Sequence, residues 1–220
     1  MKNIFKMLPI LVLTVMVSCK KDKNKSTIAA SELLNYQLVV TLKNLNTTDI
    51  RLFYFTADGD NVNGTLEGLN VKKDQTVIIK NDGFIFNETE NGSITYNFNF
   101  TKDVNGNLSV KSISFKNNTD VNMSVETSYI SKIPDVLPFE NVQYEAAAGS
   151  NITLSFFANN TTWRYFGVTN SVGSYTKVTR GAWKGTIDGR SYMGLSIKEA
   201  NRSYMLLKGT NANFGKLGAI

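Results

Sequence analysis

Large apolar and small polar residues alternate along Ser93–Thr101, so Ile94, Tyr96, Phe98 and Phe100 fall on one side of an extended chain and Thr95, Asn97 and Asn99 on the other. A period of two marks a half-buried strand, because successive side chains on a pleated backbone point to opposite faces. Lys102–Asn107 follows with Asn105-Gly106, a pair that tolerates positive φ angles, and Leu108–Phe115 returns in the same rhythm. A hairpin is predicted here. Asp188-Gly189, between Ala182–Ile187 and Arg190–Ile197, predicts a second, and Asn81-Asp82-Gly83, between Thr76–Lys80 and Phe84–Asn87, a third.

The same rhythm predicts strands at Tyr36–Leu42, Ile50–Thr56, Thr65–Val71, Val121–Ile130, Asn141–Glu145, Ile152–Ala158, Thr162–Val168, Tyr175–Arg180 and Arg202–Lys208. Beyond the N-terminal segment, helical spacing is confined to Ser31–Leu34 and Ile197–Asn201. Many short strands joined by Asn- and Gly-rich turns predict an all-β chain: antiparallel β-sandwich or paired sandwiches, with a β-barrel as the alternative. Pro134 and Pro138 interrupt the pattern, because proline lacks the N–H that a central strand donates. They divide the body into predicted β-rich lobes at 31–133 and 139–220, or mark a crossover within one continuous domain.

Ahead of the strands the pattern changes. Lys2 and Lys6 precede the apolar run Met7–Val17, which is shorter than the about 20 residues a helix needs to cross a membrane. It suits the apolar core of a secretory signal. Small Ser18 follows, then Cys19, the only cysteine in the chain. The stretch Met16-Val17-Ser18-Cys19 resembles a bacterial lipobox, with methionine in place of the usual leucine. That resemblance implies removal of residues 1–18, diacylglycerol on the Cys19 sulfur and acylation of the new amino group. The implied partner is a membrane, entered by acyl chains worth about 0.8 kcal/mol per buried methylene. Lys20, where an aspartate would signal retention in the inner membrane, implies the outer membrane. Lys20–Thr27 offers nothing apolar to bury, so residues 19–30 are predicted to form a flexible tether.

Charge and composition then narrow the chemistry. The formal net charge is +6, but six lysines stand within the first 25 residues, and from Ser26 onward 18 basic residues face 17 acidic ones. A nucleic-acid binder carries its positive charge on the folded domain, so no nucleic acid is expected as partner. Histidine is absent, which rules out a Ser-His-Asp triad, a thiolate–imidazole pair and a His-ligated zinc. Glu140 with Glu145, Asp58 with Asp60 and Glu88 with Glu90 could supply the paired carboxylates of a glycosidase, but they lie in or beside predicted turns, where acids are ordinarily solvated. Neither enzymatic activity nor a cofactor is expected. Asp58 and Asp60 are weak calcium candidates, since Val62 stands where an EF-hand loop requires Asp or Asn.

The most suggestive region is the cationic last sixty residues or so, where Trp163, Arg164, Tyr165, Trp183, Arg190 and Tyr192 interleave with Tyr175, Lys177, Arg180, Lys184, Arg202 and Tyr204. Displayed on one sheet face, these side chains could stack on sugar rings and pair with anionic groups. The same interleaving arises if the aromatics fill a core and the cations face water. The expected function is a lipid-anchored binding or interaction module at the cell envelope, for a glycan or another envelope protein. The alternative is a small barrel enclosing a lipid or porphyrin, lined by Met123, Met193 and Met205.

Overall fold

The computed structural model describes residues 27–45, 47–146, 152–167, 171–210 and 215–220. Residues 1–26, with the expected signal peptide and Cys19, lie outside them. Eight strands come before the prolines: β1 (Tyr36–Asn44), β2 (Thr47–Asp58), β3 (Asn61–Glu67), β4 (Lys72–Thr76), β5 (Gly83–Asn87), β6 (Ile94–Lys102), β7 (Leu108–Asn117) and β8 (Ser124–Lys132). They form a five-stranded sheet, β4-β3-β2-β1-β8, and a three-stranded sheet, β5-β6-β7, both antiparallel. Eight more follow: β9 (Tyr144–Glu145), β10 (Thr153–Phe157), β11 (Thr162–Phe166), β12 (Val172–Thr179), β13 (Ala182–Ile187), β14 (Arg190–Glu199), β15 (Arg202–Gly209) and β16 (Gly215–Ala219). These close into an antiparallel barrel, with β9 pairing both β10 and β16. The chain is all-β, sandwich-like before the prolines and a barrel after them.

The first two predicted hairpins form as β6–β7, with Tyr96 opposite Phe115, and as β13–β14, where Asp188 and Gly189 take φ of 48° and 71°. The third does not. Asn81 and Asp82 turn the chain with φ of 49° and 61°, but only the single bridge Lys80–Gly83 flanks them. The preceding strand is instead Lys72–Thr76, paired with β3, so the turn carries the chain from one sheet to the other. Ile197–Asn201 is not helical: Ile197 packs into a core as part of β14, which runs to Glu199. Ser31–Leu34 falls in a 3-10 turn, Ala30–Asn35. The expected tether, 19–30, does not extend over its last residues, because Ile28 is buried and the N–H groups of Thr27 and Ile28 donate to Asp82 Oδ1; its residues 19–26 lie outside the described ones.

Three cores hold these layers. Leu38, Val40 and Leu42 of β1 join Phe53 and Phe55 of β2 against Phe84, Phe86, Tyr96, Phe98 and Phe100. Phe53 stands near their centre, edge-on to Phe86, Tyr96 and Phe98 with ring centroids 5.3, 5.1 and 4.9 Å away. Intervening residues Val39, Ile50 and Leu52 point the other way, onto Ala182, Met193, Leu195, Ile197 and Leu206 on the barrel's outside. The five-stranded sheet is thus a middle layer. At its open side Gln75 donates to Ile85 O (2.7 Å) and accepts from Asn87 N (2.9 Å), so a side chain occupies the outer edge of β5 and blocks further strand pairing.

Inside the barrel the indoles of Trp163 and Trp183 lie 4.8 Å apart. Trp163 Nε1 donates to the carbonyls of Ser174 and Thr186 at 3.1 and 3.2 Å. Glycine on the neighbouring strands makes room: a Cβ at Gly173 or Gly185 would press on the Trp163 ring nitrogen, and one at Gly194 would overlap the Trp183 indole and stand 2.8 Å from Met205 Sδ. Phe139, carried in by the proline-containing connection, packs edge-on to Phe156 and Tyr175. Eight strands enclose just enough space for such a filling. Gly194→Ala should therefore cost about 1–3 kcal/mol or more by overpacking, read as a lower urea midpoint. Gly106→Ala, with φ of 79° but open space around it, should cost only the about 1–2 kcal/mol of left-handed strain.

Candidate functional site

Closure of the barrel decides the fate of the aromatic and cationic candidates. Trp163, Trp183 and Tyr192 are buried in its interior and Tyr165 packs against them, whereas Arg190 is exposed and Arg164, half-buried, stands outside over Phe157. Alternation on a closed sheet sends one set inward and the other out, so the expected mixed surface of Trp163, Arg164, Tyr165, Trp183, Arg190 and Tyr192 is not formed. The methionines do not share a cavity either. Met205 lies within the barrel, Met193 between barrel and sheet, and Met123 beside the sandwich core. Asp58 and Asp60 stand exposed at the tip of the β2–β3 hairpin, and among the described residues no three His, Cys, Asp or Glu side chains gather to hold a metal. Turn preference accounts for both aspartates.

The strongest electrostatic cluster is structural. Arg51 places Nε and Nη2 on the two Glu88 oxygens at 3.2 Å each and Nη1 on Asp49 (2.6 Å) and Ile50 O (3.1 Å). Tyr96 donates to the same Glu88 at 2.6 Å. Burial works against the guanidinium's charge, yet Asp49, Tyr96 and Glu88 outweigh it and hold Arg51 protonated, while burial drives the Tyr96 hydroxyl well above its usual range. All three guanidinium nitrogens are engaged, with four of the five N–H donors bonded inside the protein, so the cluster serves chiefly to hold the layers together. Glu67, buried at the seam, takes Lys184 from the barrel at 2.5 Å and Lys72 at 3.5 Å.

An open cleft of about 540 Å³ on the barrel's flank is differently built. It is lined by residues of β15, β16 and β9, including Arg202, Tyr204, Lys216, Gly218 and Glu145. Tyr204 pairs with Gly218, and Gly218 with Glu145, so the three form one cross-strand row on the outward face. With strands spaced about 4.8 Å apart, the strands bearing Tyr204 and Glu145 are separated by about 9.6 Å, and the glycine between them leaves a notch. Lys216 Nζ lies 4.4 Å from the Tyr204 ring centroid and bonds Glu199 at 2.6 Å. The Lys216 hydrogen bond holds the Glu199 carboxyl below its usual range. Among the described residues Arg202 and Glu145 pair with no opposite charge. Spacing along one strand makes Arg202 and Tyr204 readable as neighbours; Lys216 and Glu145 arrive through pairing of β16 with distant strands and carry no local signal.

At the barrel's end Tyr175 donates to Glu140 at 3.0 Å, and Lys177 donates to the same carboxylate at 2.7 Å. Burial first and the Glu140 contacts second push the Tyr175 hydroxyl up to about 12. Unfolded tyrosine ionises near about pH 10, so this group's contribution is complete below that pH and is lost as pH rises through about 12. The urea midpoint should therefore fall over this alkaline window, and more shallowly in Tyr175→Phe; equal slopes would remove Tyr175 as a cause. Comparison with protein-family models, with curated proteins and with solved structures finds no match for the chain.

Proposed function

We propose that the chain is an outer-membrane lipoprotein, held by acyl chains on Cys19, whose β body is a non-catalytic glycan-binding module. The address rests on Met16-Val17-Ser18-Cys19 and on Lys20 after it. One observation carries the binding role: the row Tyr204, Gly218, Glu145 beside Arg202, on a concave surface open to solvent. A sugar presents an apolar face that stacks on a phenol ring and hydroxyls that pair with a carboxylate or a guanidinium fork, and these groups surround the notch. Among the described residues Glu145 is the one acidic side chain lining the cleft, which favours binding over glycoside hydrolysis, a reaction that uses two carboxylates roughly 5 to 10 Å apart.

The chain from Lys20 onward, screened on a glycan array, should retain a sugar. Tyr204→Ala or Gly218→Val should weaken that binding by about tenfold or more, equivalent to about 1.4 kcal/mol, while Phe157→Ala on the barrel's exposed flank leaves it unchanged. No retained sugar would sink the glycan reading. Capture of an envelope protein that depends on Tyr204 would give the cleft a protein partner instead. The address is checked separately by mass spectrometry of native protein, which should find residues 1–18 removed and Cys19 acylated.

A further inference from the structure

The described body begins where Thr27 is gripped from two sides. Its N–H donates to Asp82 Oδ1, and its carbonyl accepts from Lys102 Nζ at 3.4 Å. Thr27 stands eight positions after Cys19, so the intervening chain spans at most about 28 Å when fully extended. β7 alone runs about 30 Å from this end of the body to the other. Bringing the far end to a membrane that holds Cys19 would require the tether to be stretched taut along the body, whereas a slack tether brings the near end down.

Exposed aliphatic residues stand at both ends of the body, Leu45 and Val121 at the far one, so the reach of the chain from Cys19, and not apolarity, selects the near end. Val104, at the tip of the β6–β7 hairpin two residues beyond Lys102, is fully exposed. Ile78 is 64% exposed and Ile85 55%. Both line an open cleft of about 370 Å³ with Lys80, Asn81 and Gly83, immediately around Asp82. Lys20, Lys21, Lys23 and Lys25 fall between this end and Cys19, where they would meet anionic headgroups. We propose that the end bearing Val104 and Ile78 rests on the lipid surface that holds the anchor. This rests on acylation of Cys19, as in the reading above. Shallow aliphatic contacts then add to the acyl chains and fix which way the body faces.

The test uses the acylated full-length protein in vesicles of phosphatidylethanolamine and phosphatidylglycerol. Single cysteines are introduced by Val104→Cys, Ile78→Cys and, at the opposite end, Val121→Cys, each carrying an environment-sensitive fluorophore. Val121 is 83% exposed and also aliphatic, so it controls for chemistry and differs in position. Doxyl-labelled lipids should quench the labels at 104 and 78 several-fold more than the label at 121. Equal quenching in protein shown by mass to be acylated would overturn the orientation and leave the anchor standing. An unmodified Cys19 would remove the anchor, and the orientation with it. Shielding of position 104 that persists without vesicles in a sedimenting dimer would assign the surface to a second copy and overturn the proposal.

Discussion

Burial of the five-stranded sheet on both faces is the constraint on which the rest depends. Along β1 the residues Leu38, Val40 and Leu42 belong to the sandwich core while Val39 meets the barrel, and along β2 Phe53 and Phe55 oppose Ile50 and Leu52 in the same way. A slip of one residue would exchange the two sets and drive Gln37, Thr41 and Arg51 into the wrong layers, so register here is specified twice over. The polar members of these strands are placed where partners exist. Gln37 reaches Ser196 O on the barrel at 3.3 Å, and Arg51 is paired with both Glu88 and Asp49. Removing one such partner would leave a buried charge uncompensated, a far larger loss than any exposed pair on this surface represents.

What the chain disclosed in advance follows from this layering. β6 and β7 were legible because one face is buried and the other wet, which prints strict alternation. β1 was legible as a strand, but its near-continuous apolar run could not say that two different layers cover it. β4, Lys72–Thr76, has no large apolar residue, and β16 has only Leu217; both are held by backbone pairing, which leaves no trace in a hydrophobic pattern. Helical spacing at Ile197–Asn201 was misleading for a similar reason: Ile197 faces a neighbouring layer, and Glu199 bonds Tyr129 and Lys216.

The aromatic and cationic stretch shows where a local pattern stops being informative. Alternating Trp, Tyr, Arg and Lys fit both a sticky face and a filled barrel, and only closure distinguishes them. A signal was nonetheless present. Gly173, Gly185 and Gly194 sit inside strands, where glycine is unfavourable unless something approaches closely, and each neighbours an indole. Small residues beside large ones on adjacent strands are how a narrow barrel fits its contents. Trp183 shows the limit of that fit: its Nε1–H, pressed against Gly194, is a buried donor without a hydrogen-bond partner among the described residues.

The cleft and the end at which Thr27 enters are connected by the fold. The β14–β15 turn at Ala200 and Asn201 borders two grooves: one holds Asn107, Leu108 and Lys132 at the tip side of the sandwich, the other Arg202 and Tyr204 on the barrel. Residues near the entry of Thr27 and residues that line the proposed sugar site therefore lie along the same end of the molecule. In the proposed orientation that end faces lipid, and a ligand reaching Tyr204 must come from the membrane side or be short enough to enter edge-on. A glycan carried on a lipid in the same leaflet would meet this condition, because its headgroup and an acylated Cys19 would be held at one height, and confinement to a surface raises the effective concentration of each for the other.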